Sequence, residues 1–351
     1  MLKFALIGCG RIAKRHSELL GLEKINGAKL VAACDLDNTK AKSIGEQFCV
    51  PYYTDMHKMM ATENIDVAVV LTESGNHAKN VVELAKYGKH IVVEKPMALT
   101  LDDADAMIHA CDAAGVKLFI VKQNRFNIPV MKLREAIEGN RFGKLVLGTV
   151  RVRWCRTQDY YDQAKWRGTW AMDGGVLTNQ ASHHVDLLEW MLGDVDSVFA
   201  MGRTALANIE TEDTAIVTIK FKNGALGIIE ATTAVRPKDL EGSISILGEG
   251  GAVEISGFAV NEMRTWNFVE PLPSDEDVMK KYSVNPPNVY GFGHQAYYEH
   301  VVDCISNNKE HLVDGLEGRK SLELINAIYE SIETGKEVSI RFKPKFCKLG
   351  G

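Results

Sequence analysis

The sequence has no long hydrophobic run and no excess of positive charge. A helix that crosses a bilayer needs about 20 apolar residues, and no segment stays apolar for that length. The apolar run that ends at Gly8 is too short for the core of a secretory signal peptide. With 41 Lys and Arg against 46 Asp and Glu, the net charge is -5, which gives no basic surface for nucleic acid. We therefore expect a cytoplasmic protein with no membrane or nucleic-acid partner.

Paired cysteines are also missing. The sequence has seven cysteines, but it has no C-x-x-C motif and is too long for a disulfide-stapled mini-domain. Most of the cysteines lie in apolar runs, which predicts buried, reduced thiols. They are Cys9, Cys34, Cys49, Cys111, Cys155, Cys304 and Cys347.

The composition is that of a globular protein of enzyme size. The chain has 351 residues, of which 46% are hydrophobic and 25% are charged. A chain of this length is too long for one ordinary core, so we expect two domains.

A glycine-rich turn joins the first predicted strand to the first helix. Residues 3–7 favour a strand, and Gly8-Cys9-Gly10-Arg11-Ile12-Ala13 follows before a helical pattern. Gly8 permits the tight turn, Gly10 lets the backbone approach a pyrophosphate, and Ala13 lets the helix pack closely on the strand. The turn predicts a dinucleotide site, with Arg11 and Ile12 as further candidates at the helix N-terminus.

The second strand ends in a carboxylate. The segment KLVAACD places Asp35 where it can accept from both ribose hydroxyls of NAD, and where its charge repels the 2′-phosphate of NADP. We therefore expect NAD as the cofactor. The alternative is that Asp35 only caps the next helix, since Asp is a preferred N-cap residue.

Strands and helices alternate as far as about residue 123. Such alternation is typical of an α/β fold with a doubly wound parallel Rossmann sheet, here of about six strands, which binds ligands at the carboxyl ends of its strands. Further strands are predicted at 66–71, 90–95 and 117–123, with helices near 77–87 and 101–114. Polar residues at the strand ends are candidates for cofactor binding: Thr72, Ser74, His77, Glu94, Lys95 and Gln123.

Lys95 stands out among these residues because Pro96 follows it. Proline restricts the preceding residue to an extended backbone and permits a cis peptide bond. The direction of the Lys95 side chain is therefore constrained, which favours a functional role over that of a solvated charge.

The remainder of the chain changes character. Two hairpins are predicted, one around Lys222-Asn223-Gly224 and one around residues 248–251, within a mostly antiparallel sheet that leaves one face free. These patterns divide the chain into a Rossmann domain at 1–124 and an α+β domain at 125–351. The segment 268–288 combines helix breakers with charge and is predicted to be a mobile excursion.

Two adjacent histidines occur in the segment DGGVLTNQASHHVDLLEW. The spacing of Asn179, His183 and Asp186 allows one helical face to carry all three, whereas His184 points about 100° away. A zinc site lacks further ligands at a suitable spacing, so no metal is predicted. The pair is therefore either structural or catalytic, and the dinucleotide-binding pattern of the first domain favours the catalytic interpretation.

Together these motifs resemble the Gfo/Idh/MocA oxidoreductase family over essentially the whole chain. The segments that carry the resemblance are ALIGCGRIA, CD, EKPMA, WRGTW and DGGVLTNQASHHVDLLEWMLGDV. Within the family, VKQNRFN, RTQDYYDQAKWRGTW and TNQASHHVDLLEW are most similar to the bacterial UDP-N-acetylglucosaminuronate 3-dehydrogenases of surface-polysaccharide synthesis, including lipopolysaccharide.

The resemblance implies NAD-dependent oxidation of the C3 hydroxyl of a UDP-N-acetyl amino sugar. It implies that Lys95 and His183 act on this hydroxyl, with either one as the base, and that Asn179 orients the sugar. Many relatives have Asp where this chain has Asn179, and an amide, unlike a carboxylate, does not hold a proton on the imidazole. UDP-N-acetylglucosamine, or another sugar or polyol oxidised within the same family, is an alternative substrate. A non-catalytic NAD(H) sensor is an alternative of another class.

Further residues and an assembly follow from the same resemblance. Trp166 and Arg167 are expected at the nicotinamide or pyrophosphate, although packing alone can explain a tryptophan. A homodimer or homotetramer is expected to pack through the open sheet of the second domain. Candidates for the nucleotide or the sugar are Asn124, Arg125, Arg153, Arg156, Tyr160 and Tyr161.

Overall fold

The computed structural model describes residues 1–283 and 292–340, and it contains two compact units. The first unit comprises Met1–Lys122 and His294–Lys320, and the second comprises Gln123–Gly293 and the chain from Ser321 onward. The chain passes from the first unit to the second after Lys122, whereas the sequence predicts a single boundary after residue 124, and it returns to the first unit at His294. Tyr298 lies in this returning segment, and its ring packs edge-on against Phe4 in the first strand, with centroids 5.7 Å apart.

The first unit contains a six-stranded parallel sheet in the order β3-β2-β1-β4-β5-β6, as the alternating pattern predicts. Strand β4 is buried along its whole length, as expected where helices cover both faces of a parallel sheet. Its elements are β1 (Leu2–Ile7), α1 (Ala13–Gly21), β2 (Ala28–Cys34), α2 (Asn38–Phe48), β3 (Tyr52–Tyr53), α3 (Met56–Thr62), β4 (Val67–Val70), α4 (His77–Ala85), β5 (His90–Val93), α5 (Leu101–Ala113) and β6 (Leu118–Ile120).

The rest of the chain builds an eight-stranded mixed sheet in the order β13-β12-β11-β7-β10-β9-β8-β14. The helices and strands from residue 128 onward are α6 (Ile128–Glu138), β7 (Leu145–Arg153), α7 (Gln158–Asp162), α8 (Ser182–Leu192), β8 (Val195–Arg203), β9 (Thr214–Phe221), β10 (Leu226–Thr232), β11 (Glu241–Gly248), β12 (Gly251–Ser256), β13 (Glu262–Phe268), α9 (Val278–Lys281), α10 (Gly293–Ser306), α11 (Gly315–Thr334) and β14 (Val338–Ser339). Both predicted hairpins are present, as β9–β10 and β11–β12, and only the β7–β10 pair is parallel among the strand pairs of this sheet in the described residues.

One face of this second sheet packs against helix α8, which lies on β7 and β11. Strand β9 alternates between buried and exposed residues, so its other face points outward. That face carries large exposed apolar side chains on three neighbouring strands, namely Phe199, Met201, Ile216, Leu226 and Ile228.

Two further expectations concern the cysteines and the segment 268–288. Six cysteines are free thiols, four of them buried, as predicted, although Cys49 is exposed; Cys347 lies outside the described residues. The segment contains a short 3₁₀ helix at Pro273–Asp275 and helix α9, while its residues 284–288 lie outside the described part. In the described part, no helix is both long enough and apolar enough to cross a bilayer.

Candidate active site

The turn between β1 and α1 has the features of a dinucleotide site. Gly8 has a φ of +98°, and a Cβ at this position would lie 2.7 Å from the backbone of Leu71. At Gly10, by contrast, a Cβ would meet no atom within 4 Å. The first glycine therefore satisfies a packing constraint, whereas the second leaves open space where a pyrophosphate can approach the backbone. Arg11 and Ile12 follow at the start of α1.

Asp35 follows β2 and faces this turn. One carboxylate oxygen accepts the Cys9 amide at 2.7 Å, and the other accepts the Asp37 amide at 2.8 Å. The N-cap of α2 is Asp37, whose side chain accepts from the Thr39 amide. The capping alternative for Asp35 is therefore wrong, and its position fits the adenosine ribose of NAD.

The ends of strands β4 and β5 are joined by His77. This buried imidazole places Nδ1 2.8 Å from the Pro96 carbonyl and Nε2 3.0 Å from the Thr72 carbonyl. Burial lowers the pKa of His77. In the structure this histidine connects the two segments that carry Thr72 and Lys95. Ser74, which is also predicted at the cofactor, is buried and precedes His77 in the chain.

Glu94 and Lys95 lie at the end of β5. Glu94 is buried, and its Oε2 accepts the Lys95 amide at 3.0 Å. The Lys95–Pro96 peptide bond is cis, as the sequence permits.

His183 lies in the first turn of α8 and is buried. Its Nε2 lies 2.9 Å from the side-chain amide nitrogen of Gln123, so Gln123, which the sequence predicts at the cofactor, contacts the candidate catalytic histidine.

The structure corrects the helical face predicted for Asn179. Helix α8 begins at Ser182, so Asn179 lies in the turn before it rather than one helical turn from His183. The Asn179 amide donates to Asp173, whose other carboxylate oxygen accepts the Gly168 amide at 2.8 Å. The spacing predicts a continuous helix, but residues 176–180 form turns.

His184 has a structural environment. Its ring is fully buried and packs edge-on against Trp154, with centroids 5.9 Å apart. Burial lowers its pKa to about 4, so the ring is neutral at pH 7. The adjacent histidines therefore have different surroundings.

Helix α8 is also fixed by a buried ion pair. Arg125 donates from Nε and Nη2 to the two carboxylate oxygens of Asp186, both at 2.8 Å, and its guanidinium lies 4.9 Å from the centroid of Trp190. Asn124 is buried beside Arg125 in the sequence. Arg125 was expected at the substrate, but in the structure its bidentate fork is engaged by Asp186.

Two other predicted arginines are also paired with carboxylates. Arg153 donates to Glu230 at 2.6 and 2.7 Å and to Glu241 at 3.1 Å, while Arg156 donates to Asp239 at 2.9 Å. The positive charges of these two arginines are therefore paired with carboxylates of the chain itself, whereas a phosphate or a uronate would need them as its own partners.

Arg167 lies in a different environment. It lines a cavity of about 330 Å³ in the second unit, together with Tyr161, Lys165, Gly168, Ile209 and Glu210. Arg167 donates to the Tyr160 carbonyl at 2.7 Å and to Gln163 Oε1 at 3.1 Å. Among residues 1–283 and 292–340, neither Lys165 nor Arg167 forms an ion pair with a carboxylate. Arg167 stacks on Tyr160 at 4.2 Å and on the predicted Trp166 at 5.7 Å. The hydroxyl of Tyr161 lies 3.0 Å from Thr233 Oγ1, which makes this tyrosine part of the core.

Sequence patterns did not indicate Glu212, which supports the turn before α8. Its Oε1 accepts the Leu177 amide at 2.9 Å and the Tyr329 hydroxyl at 3.1 Å. The carboxyl group fills the space beside Gly175, where a Cβ would lie 2.0 Å from Oε2. Burial raises the pKa of Glu212 to about 7 despite these hydrogen bonds.

Glu212→Gln is expected to remove a pH-dependent loss of stability. As pH rises from 4.5 to about 7, the unfolded state loses the Glu212 proton before the folded state does, so the free energy of unfolding falls. Over this pH interval, Glu212 lowers the free energy of unfolding by about 3 kcal/mol. Urea unfolding of both proteins across this range should show the variant gaining relative stability as pH rises. A constant difference between the two would contradict the raised pKa.

The fold and these residues define the class of protein. A parallel Rossmann sheet with a Gly8–Gly10 turn and Asp35 at the second strand end fits NAD, and the second unit holds the buried His183 at the start of α8. This combination is that of a nicotinamide-dependent oxidoreductase.

The chain belongs to the Gfo/Idh/MocA oxidoreductase family. Residues 2–122 match the NAD-binding Rossmann fold of this family, and residues 134–340 match its C-terminal alpha/beta domain. The protein is therefore an NAD-dependent dehydrogenase. The fold and cofactor predicted from the sequence are confirmed.

Several proteins of known structure or activity are similar to this chain. The WlbA dehydrogenase from Bordetella pertussis, solved with NADH and UDP-GlcNAcA, is 41% identical, with a TM-score of 0.90 over 97% of this chain and 99% of that one. WlbA from Chromobacterium violaceum, solved with the same two ligands, is 42% identical, with a TM-score of 0.92 over 98% and 97%. Myo-inositol 2-dehydrogenase of Thermotoga maritima is 29% identical over 97% of this chain and 98% of its own length.

Proposed function

We propose that this protein uses NAD to oxidise the C3 hydroxyl of UDP-N-acetylglucosaminuronic acid, giving the 3-keto sugar, in surface-polysaccharide synthesis. The observation that carries the proposal is the 41–42% identity, over nearly the full length, to two dehydrogenases solved with this nucleotide sugar and NADH. Identity to the myo-inositol enzyme is lower, at 29%.

The proposed chemistry removes a hydride and a proton from the same alcohol. Bound NAD supplies the hydride acceptor, so the protein has to orient the sugar and take the hydroxyl proton. We assign the proton to His183, because an imidazole nitrogen readily accepts a proton near neutral pH. Lys95 donates a hydrogen bond to the developing alkoxide, and Asn179 orients the sugar.

The pairing of the arginines supports a particular anion-binding surface. Arg125, Arg153 and Arg156 are engaged by carboxylates of the chain itself. Lys165 and Arg167 line the 330 Å³ cavity together with Asp162 and Glu210, but neither cation forms an ion pair with a carboxylate among the described residues. We therefore propose that Lys165 and Arg167, rather than the three paired arginines, bind the diphosphate or the uronate carboxylate.

Comparing substrates tests the proposed function. Purified protein with NAD is expected to form NADH with UDP-N-acetylglucosaminuronic acid at a kcat/KM about 10- to 100-fold above that with UDP-N-acetylglucosamine, since a charge-assisted hydrogen bond contributes about 1.5–3 kcal/mol. Oxidation of the neutral nucleotide sugar alone would overturn the choice of the uronate. Oxidation of myo-inositol, with neither nucleotide sugar turned over, would favour the polyol activity of the 29% identical relative.

We also propose that the protein is a homo-oligomer that packs through the outer face of the second sheet. Phe199, Met201 and Ile216 lie on neighbouring strands and are 40%, 63% and 50% exposed, and a contiguous apolar surface of this kind marks an interaction site. Ile216→Lys combined with Met201→Lys is expected to give monomers in analytical ultracentrifugation. Val269→Lys, outside the sheet, is the control, and an unchanged mass in the double variant would refute this interface.

A further inference from the structure

Three buried side chains connect helices α10 and α1 to the backbone of Lys95, all within the first unit. The Tyr298 hydroxyl lies 2.6 Å from Nδ1 of His16, and Nε2 of His16 lies 2.9 Å from Oε1 of Glu94. Oε2 of Glu94 accepts the Lys95 amide at 3.0 Å. We call Tyr298, His16 and Glu94 the buried triad.

The direction of the hydrogen bond between His16 and Glu94 follows from the charge of Glu94. Burial by itself would raise the pKa of this carboxyl, but the hydrogen bond from His16 and the nearby imidazole of His294, 3.9 Å away, outweigh it and hold the pKa well below its ordinary value. An ionised carboxylate only accepts hydrogen bonds. His16 therefore carries a proton on Nε2 whether its ring is neutral or charged, and in the neutral ring Nδ1 accepts from Tyr298.

Two residues of the buried triad, His16 and Glu94, also belong to a possible metal site with His294. Donor atoms of His16, Glu94 and His294 all lie within 4.8 Å of one another, and two histidines with one carboxylate can bind a transition metal. Two ligands of a tetrahedral zinc ion at 2.1 Å are about 3.4 Å apart. The 2.9 Å between His16 and Glu94 is shorter and is the length of a hydrogen bond.

We propose that His16 and Tyr298 are positioning residues for Lys95. They fix the carboxylate of Glu94, whose second oxygen holds the Lys95 amide at the end of β5, and the lysine is thereby presented in one backbone position. The inference rests on the proposed role of Lys95 in sugar oxidation. It adds that a residue of α10, 282 positions away from His16, contributes to that role.

Two substitutions at His16 test the hydrogen bond from His16 to Glu94. In His16→Gln the side-chain nitrogen can occupy the place of Nε2 and still donate to Glu94, whereas in His16→Asn it reaches only the place of Nδ1. We expect the Asn variant to lose about 10- to 100-fold in kcat, as a misplaced catalytic group does, with the affinity for NADH unchanged. The Gln variant should retain most of the activity, and Tyr298→Phe should have a smaller effect than His16→Asn.

Ser17→Ala is the matched control in the same helix, because Ser17 is buried beside His16 and its hydroxyl bonds only locally, to the Lys14 carbonyl. It should leave kcat unchanged. Equal kcat values for His16→Asn and wild type, or equal losses in the Gln and Asn variants, would overturn the positioning role. Stoichiometric zinc in the purified protein, lost in His16→Gln, would replace the triad with a metal site.

A measurement without substrate separates this inference from the proposed function. If the wild type oxidises no UDP-sugar, the function fails, but ¹⁵N NMR of the His16 ring still tests the triad. We expect a protonated Nε2, and an Nδ1 resonance that shifts in Tyr298→Phe as its donor is removed. A neutral ring protonated only on Nδ1 would refute the triad.

Discussion

Replacing Lys95 with Met or His183 with Asn is expected to lower kcat by about 10²- to 10⁴-fold, the range in which single acid–base and alkoxide-stabilising groups contribute. Both changes remove the hydrogen-bonding or proton-accepting group while keeping a side chain of similar size. NADH formation with the preferred nucleotide sugar is the measurement. Near-normal turnover in either variant would remove that residue from the mechanism.

Lys95→Arg distinguishes the two possible roles of Lys95. Arginine still donates hydrogen bonds but does not lose its proton in proteins. If His183 is the base and Lys95 the donor, the Arg variant should retain more activity than the Met variant. If Lys95 is the base, Arg and Met should be equally inactive. Fluorescence titration with NADH serves as the control for cofactor binding in all of these variants.

Asp186→Ala is expected to lower the free energy of unfolding by about 3–5 kcal/mol, because it leaves the buried Arg125 cation without its carboxylate. The side chains of Arg125 and Asp186 are only 3% and 4% exposed. Helix α8 carries both Asp186 and His183, so kcat should fall as well. Urea unfolding monitored by circular dichroism measures the loss.

The exposed pair between Arg134 and Glu138 is the matched control. Both Arg134 and Arg125 stack on Trp190 at 4.9 Å, but Glu138 is 61% exposed. Glu138→Ala should therefore cost less than about 1 kcal/mol. In the double variant Arg125→Met, Asp186→Leu, no buried charge is left, so much of the lost stability should return. If Asp186→Ala and Glu138→Ala had equal effects, the buried pair would not be a structural anchor.

The partners of the arginines could not be predicted from the sequence alone. Arg153 was a reasonable candidate for an anion because an arginine fork suits phosphates and carboxylates. The register of the second sheet pairs Arg153 with Glu241 on β11 and brings Glu230 close on β10. Glu241 lies 88 positions from Arg153 and Glu230 lies 77 positions from it, and no local pattern links either carboxylate to Arg153.

Glu212 is a second case. In the segment TEDTA it has the appearance of an ordinary surface acid. The fold buries it beneath the turn that holds Asn179 and raises its pKa to about 7. Burial of a charged group depends on which elements pack over it, and this information is absent from residue spacing.

The sequence by itself determined the Rossmann sheet, the glycine turn, Asp35, the later hairpins and the residues Lys95 and His183 as candidates. These features follow from local periodicity, turn chemistry and positions at strand ends, all of which depend on near neighbours in the chain. Only the tertiary structure decided that α10 returns to the first unit, that Gln123 contacts His183, and that Tyr298 and His16 support Glu94. Such contacts join residues 60 to 282 positions apart and are set by how the elements pack.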